Sequence, residues 1–139
     1  MRRILLFVVM VLASTWMAGA QAQDPRGTVV HAAAMAWLAQ ADKFDAQGTW
    51  NAAGEKFQKQ MSAQQWGTAL HSAREPLGAV TQRALVATSF ATQMPGAPDG
   101  DYAQLQFRTA FANKTEAHES VTLEHQPDGQ WRVIGYFIR

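Results

Sequence analysis

The sequence predicts an α+β domain, with N-terminal helices packed on a curved antiparallel sheet of about four strands. Two observations carry this. Apolar residues in the first half recur at helical spacing, whereas from Thr81 onward the period switches to two and Val, Thr and Phe accumulate. The helical and strand segments follow one another without alternating, which is the α+β order and not the βαβ order of a parallel sheet.

The elements follow in chain order. Asp24-Pro25 opens the first helix, with proline suited to the first turn. Val29, Val30, Ala33, Trp37, Leu38 and Ala41 form its apolar stripe, which fades between Asp42 and Gly48. Thr49 is read as the cap of a short helix carrying Trp50 and Ala53, and Phe57 and Met61 continue the apolar face. Ser62 with Gln65 three residues on predicts a capping box, flanked by Met61 and Trp66 as a hydrophobic staple. Trp66, Ala69, Leu70 and Ala73 then give a buried stripe that ends at Pro76.

The strands come next. Ala84, Val86, Thr88 and Phe90 alternate within Thr81 to Thr92, and Met94 to Asp101 reads as a loop. Ala103, Leu105, Phe107, Thr109 and Phe111 alternate with Tyr102, Gln104, Gln106 and Arg108, a half-buried strand. Val121 and Leu123 oppose Ser120, Thr122 and Glu124 on the next. Pro127-Asp128-Gly129 is a hairpin turn, and Trp131 to Ile138 is the last strand. A twisted sheet wrapped around an N-terminal helix makes a cone whose open end can enclose a pocket.

Residues 1–22 carry the layout of a secretory signal: a basic Met1-Arg2-Arg3 start, an apolar run from Ile4 to Leu12, and small-x-small patterns ending at Ala20 and Ala22. The run is shorter than the roughly 20 apolar residues a bilayer span needs. Cleavage near Ala20 or Ala22 and a periplasmic or secreted product are expected, with residues 23–139 as one α+β domain. The paired arginines evoke the twin-arginine route, but the apolar run follows them at once and no cofactor motif requires folded export.

Without Arg2 and Arg3, 10 of the 12 basic side chains remain against 11 acidic ones, a net charge of −1. Nucleic-acid binding, which normally shows a basic patch, is disfavoured. So is a polybasic membrane anchor. The absence of cysteine removes thiol catalysis, thiolate metal sites and lipid attachment through a cysteine.

At this point particular residues become telling. Trp37-Leu38, Asp42, Trp50, Phe57, Trp66, Leu70, Arg74-Glu75-Pro76-Leu77-Gly78 and Arg83 resemble the domain-of-unknown-function 4019 family. So do Phe107, Phe111-Ala112-Asn113-Lys114 and the tail from Asp128 to Ile138, with its Gly129-Gln130-Trp131-Arg132-Val133 core. The likeness runs from about Val29 to the end; an aromatic expected four residues before Trp50 is Ala46 here. The resemblance implies a cystatin-like, or nuclear transport factor 2-like, α+β fold and an address in the bacterial envelope. It brings no activity, and that superfamily fold hosts enzymes, binding proteins and dimerisation modules alike.

The candidate site residues are few. His31, His71, His118 and His125 lack metal-ligand spacing, so no metal and no cofactor is expected. No serine-hydrolase elbow, phosphate loop or dinucleotide fingerprint is present. Asp42, Asp45 or His31 could serve as a general base in a dry pocket, against the plainer reading of helix-end solvation. Arg74 and Arg83 could clamp a carboxylate or phosphate bidentately; the plainer reading is that they pair with Glu75 or helix carbonyls and pin a helix to the sheet. Trp37, Trp50, Trp66 and Trp131 are read as core, with Trp37 able to line a cavity. Tyr102 belongs to an open polar sheet face with Gln104, Gln106, Arg108, Ser120, Thr122 and Glu124, a surface for a small ligand, a protein partner or a homodimer.

These residues favour a non-enzymatic binding or accessory module. The alternatives are a pocket enzyme of isomerase or dehydratase type and a self-assembling envelope protein.

Overall fold

The computed structural model describes residues 24–139. The expected signal segment and its cleavage sites lie outside the described residues. Four helices precede four strands: α1 (Arg26–Asp42), α2 (Ala46–Ala52), α3 (Glu55–Gln60), α4 (Ala63–Arg74), then β1 (Val80–Ala91), β2 (Tyr102–Phe111), β3 (Lys114–His125) and β4 (Trp131–Ile138). The strands pair antiparallel in sequence order, β1-β2-β3-β4. The α+β class and the four-stranded antiparallel sheet are thus as the sequence indicates.

The caps explain the helix starts. Ser62 and Gln65 form the expected capping box at α4. At α2 the cap is Asp45, which accepts from Gly48 N at 2.9 Å, and not Thr49. Thr49 instead lies fully buried inside α2. Its hydroxyl donates back to the Asp45 carbonyl and accepts the Trp66 indole N–H at 2.8 Å. A short helix with a buried hydroxyl can use threonine this way because both of its lone-pair and proton roles are filled. The helix α4 stops at Arg74, and Pro76 turns the chain through a 3₁₀ turn, Glu75–Leu77. At Ala46, where an aromatic was expected, the small side chain faces Gly67 of α4, whose own Cβ would lie only 3.2 Å away. Two small residues let α2 and α4 approach.

The core lies between the helices and one face of the sheet. Val30, Ala34, Trp37, Leu38 and Ala41 of α1, Phe57, Trp66 and Leu70 meet Ala103, Leu105, Phe107, Val121, Leu123 and Val133. Every residue of β2 expected on the core face is buried. Gly129 takes the positive φ (85°) that its hairpin turn demands.

Two bulges decide which side chains face inward. In a regular strand, residues an odd number apart point to opposite faces. Arg83 is paired with Thr109 and Phe90 with Ala103, both on the core side, although seven residues separate them. The register shift between Leu85 and Ala87 supplies the missing residue, Val86, and reverses the parity. The alternation Ala84, Val86, Thr88, Phe90 is therefore corrected: Thr88 and Phe90 face inward, whereas Ala84 and the exposed Val86 do not. In β4, the shift between the Thr122 and Leu123 pairings leaves Ile134 extra and brings both Val133 and Tyr136 to the core side. Ile134 turns to the α2–α3 joint, where Gly54 N donates to Val133 O at 2.8 Å. A side chain at Gly54 would meet Ile134 at 2.9 Å and push it aside, so the glycine lets the joint lie close against this sheet edge.

Candidate functional site: a buried arginine–carboxylate cluster

Four elements bring charge to one place. The end of α1 gives Asp42, the end of α4 Arg74, β1 Arg83 and β3 Glu119. Arg83 binds Asp42 bidentately, Nη1 to Oδ2 and Nη2 to Oδ1 both at 2.9 Å, and its Nε donates to Glu119 Oε1 at 2.8 Å. Arg74 Nη2 donates to Asp42 Oδ1 at 2.6 Å, and its Nη1 lies 3.9 Å from Glu119 Oε2. Thr109 and Tyr136 donate their hydroxyls to Glu119. Phe111 lies beneath the Arg74 guanidinium at 4.9 Å.

Exposure decides what this cluster can do. Glu119 is 0 % and Arg74 2 % exposed, while the Asp42 side chain keeps 27 %. Two guanidinium groups face two carboxylates, so the cluster is electrically balanced and almost fully hydrogen-bonded. A buried charge is tolerated on those terms and few others. Both arginines are occupied by carboxylates of the same chain, which leaves neither as a free anion clamp. They do pin helices to the sheet, but through Asp42 and Glu119; Glu75 pairs instead with His71 at 2.7 Å on the exposed side of α4.

The electrostatics agree. Burial alone would raise the Asp42 pKa, but hydrogen bonds from Arg83 and then Arg74 outweigh it and hold the carboxyl below its usual value. Burial, followed by the Glu119 charge, pushes the Tyr136 phenol up, so it stays a hydrogen-bond donor. Because the folded Asp42 pKa lies below the unfolded value of about 3.9, its contribution to stability is complete above that pH and fades as pH falls through the folded value. Urea titrations from pH 6 to 2 should show stability falling on the acid side, with a shallower fall in Asp42→Asn; equal slopes would contradict the assignment.

The remaining candidates are dispersed. His31, half-buried, tilts over Phe107 at 6.1 Å and lines an open hollow of about 430 Å³ with Leu85, Thr88 and Phe90. Asp45 caps α2. Trp37 is 4 % exposed, packed among Phe57, Trp66 and Tyr136, and it contributes to the wall of an open hollow of about 230 Å³ with Ala33, Gln40 and Trp131. Tyr102 corrects the open-face expectation: it is 1 % exposed, and its hydroxyl donates to Pro98 O at 2.6 Å. The Met94–Asp101 loop folds back over that end of the face, burying the tyrosine. Thr122 is also buried on that face, but Gln104 and Arg108 remain exposed.

Sequence reading missed Glu119, Thr109 and Tyr136. A signal for Glu119 existed: it sits between Ala117 and Val121 on the core-facing period of β3, where an acid requires a basic partner. Among the described residues, no group of three His, Asp or Glu side chains is placed to hold a metal, and no helix is long and apolar enough to cross a membrane.

The fold and this site together define a small α+β domain whose inward charges serve one another. The chain belongs to the family described as "Protein of unknown function (DUF4019)", whose model matches residues 33–136. No curated protein and no solved structure matches it significantly.

Proposed function

We propose that the chain is an exported, periplasmic domain of the cystatin-like, nuclear transport factor 2-like kind, acting as a non-enzymatic binding or accessory module through the outer face of its sheet. One contrast carries the reading. On the inner side, both carboxylates, Asp42 and Glu119, are held by Arg74 and Arg83 with the Thr109 and Tyr136 hydroxyls, and only Arg74 Nε is left without a partner. On the outer side, an open hollow of about 520 Å³ lies between α3, the Met94–Pro98 segment and β4. That volume falls in the range of small-molecule sites.

Isomerase or dehydratase chemistry at Asp42 is the weaker reading, because a carboxylate held by three guanidinium contacts is a poor proton acceptor. Self-assembly is favoured by one observation. The twelve residues of β1 form a sheet edge whose sole charged residue, Arg83, is drawn inward, with Leu85 and Val86 exposed.

The test is expression of the full chain in an export-competent bacterial host, followed by native mass spectrometry of the periplasmic fraction. The expected result is a chain lacking about 20–22 residues, as the signal layout requires, carrying a small molecule or a defined protein partner. An unprocessed chain in the cytosol would overturn the address. Recovery of neither ligand nor partner would overturn the binding role, and a mass that doubles with concentration would favour assembly.

A further inference from the structure

We infer that the outer-face trough takes a single-chain amphipathic anion, an acyl chain ending in a carboxylate or phosphate. This inference rests on the binding reading above and names its ligand class.

Shape comes first. The hollow of about 520 Å³ beside α3 and a second of about 340 Å³ along the outer face of β2 and β3 are both lined by Phe137, which also reaches a third, of about 210 Å³, against α4. Two hollows sharing one side chain suit an elongated guest better than a compact one. Phe137 is 75 % exposed, more than any other exposed large hydrophobic side chain among the described residues. Met94, Pro95, Pro98 and Ile134 surround it with further apolar surface.

The floor supports the same conclusion. Gly135 lies in the first hollow, opposite Thr122. A Cβ there would reach Thr122 at 3.6 Å, an ordinary contact, and Gly135 is not among the glycines with positive φ. Neither packing nor backbone therefore requires a glycine. What its missing side chain provides is depth in the trough, the close approach that a strand glycine offers to a ligand.

Charge selects the head. The side chains lining the two hollows include Lys56, Lys59, His118 and Arg139, and no aspartate or glutamate. Lys56 is engaged by Glu124. The Lys59 pair with Glu55 is exposed on both sides, at 74 % and 73 %, and such pairs exchange partners at little cost. Lys59 is thus able to meet an incoming anionic head in the first hollow, and Arg139, which is in no ion pair among the described residues, can do so in the second.

The experiment is calorimetric titration of the periplasmic, processed protein, below micellar concentrations, with dodecanoate, dodecyl phosphate, dodecanol, dodecyltrimethylammonium and inorganic phosphate. Both amphipathic anions should bind at one site, dodecanol at least about tenfold more weakly, and the cationic amphiphile and bare phosphate not at all. Gly135→Leu, and independently the exposed-site change Phe137→Ser, should weaken dodecanoate at least about tenfold with an unchanged circular dichroism spectrum. Lys59→Glu should weaken the anions and leave dodecanol alone. Equal binding of cationic and anionic amphiphiles, or full affinity in folded Gly135→Leu and Phe137→Ser, would overturn the assignment. A silent panel beside a different co-purified ligand or partner would overturn this ligand class and leave the binding role standing; silence in both would remove both.

Discussion

Arg83→Met is expected to destabilise the domain by about 3–5 kcal/mol, the usual cost of removing one partner from a buried ion pair. The side chain is only 6 % exposed and contacts both carboxylates of the cluster. Its loss leaves Glu119, fully buried, with two neutral hydroxyl donors and an Arg74 nitrogen 3.9 Å away. Asp42 would keep Arg74 alone. The cluster passes from electrical balance to a net buried negative charge. Methionine fills much of the volume, so the loss reads out charge more than cavity. Thermal denaturation should show the midpoint falling by more than about 10 °C. Arg83→Met combined with Glu119→Gln restores the balance, with Arg74 facing Asp42. The pair should therefore cost less than the sum of the two single changes, with a coupling of about 1–3 kcal/mol. Strict additivity would show that the cluster is not a unit.

The same cluster shows where the sequence was readable. The four-stranded meander, the capping box and the core face of β2 follow from local rules: period, cap chemistry and turn residues act within a few positions. The cluster depends on which distant residues meet. Arg74 and Arg83 were visible as arginines beside apolar positions, but their partners lie 32 to 62 residues from them in sequence. Their meeting also needs the bulge at Val86, since without it Arg83 and Phe90 would not share a face. A bulge has a weak sequence signature, because Leu85-Val86-Ala87 reads equally well as regular strand. Tyr102 was misread for a related reason. Alternation assigns a residue to a face of the sheet, but the eight-residue Met94–Asp101 loop decides whether that face meets water.

The second large effect is expected at Trp37. Trp37→Ala should cost about 3–5 kcal/mol, as for other large aromatic truncations in cores. Its indole lies 5.7 Å from Trp66 and 5.3 Å from Tyr136, centroid to centroid, and edge-on to Phe57. Its Nε1 donates to Thr49 O at 3.0 Å, one of the last carbonyls of α2, while the Ala53 N–H four residues on goes to Trp50 O instead. Trp37→Phe keeps most of the ring contacts and loses that hydrogen bond, so it should cost about 1–2 kcal/mol. The gap between the two variants, measured by urea unfolding, separates ring packing from the capping of α2. Tyr136 makes the argument testable one step further. Its ring packs on Trp37 and its hydroxyl donates to Glu119, so it joins the aromatic core to the ion cluster. If the two form one cooperative unit, Trp37→Ala and Arg83→Met combined will depart from additivity by more than about 0.5 kcal/mol. Additive losses would mean that the sheet holds the arginine cluster in place without help from the rings above it.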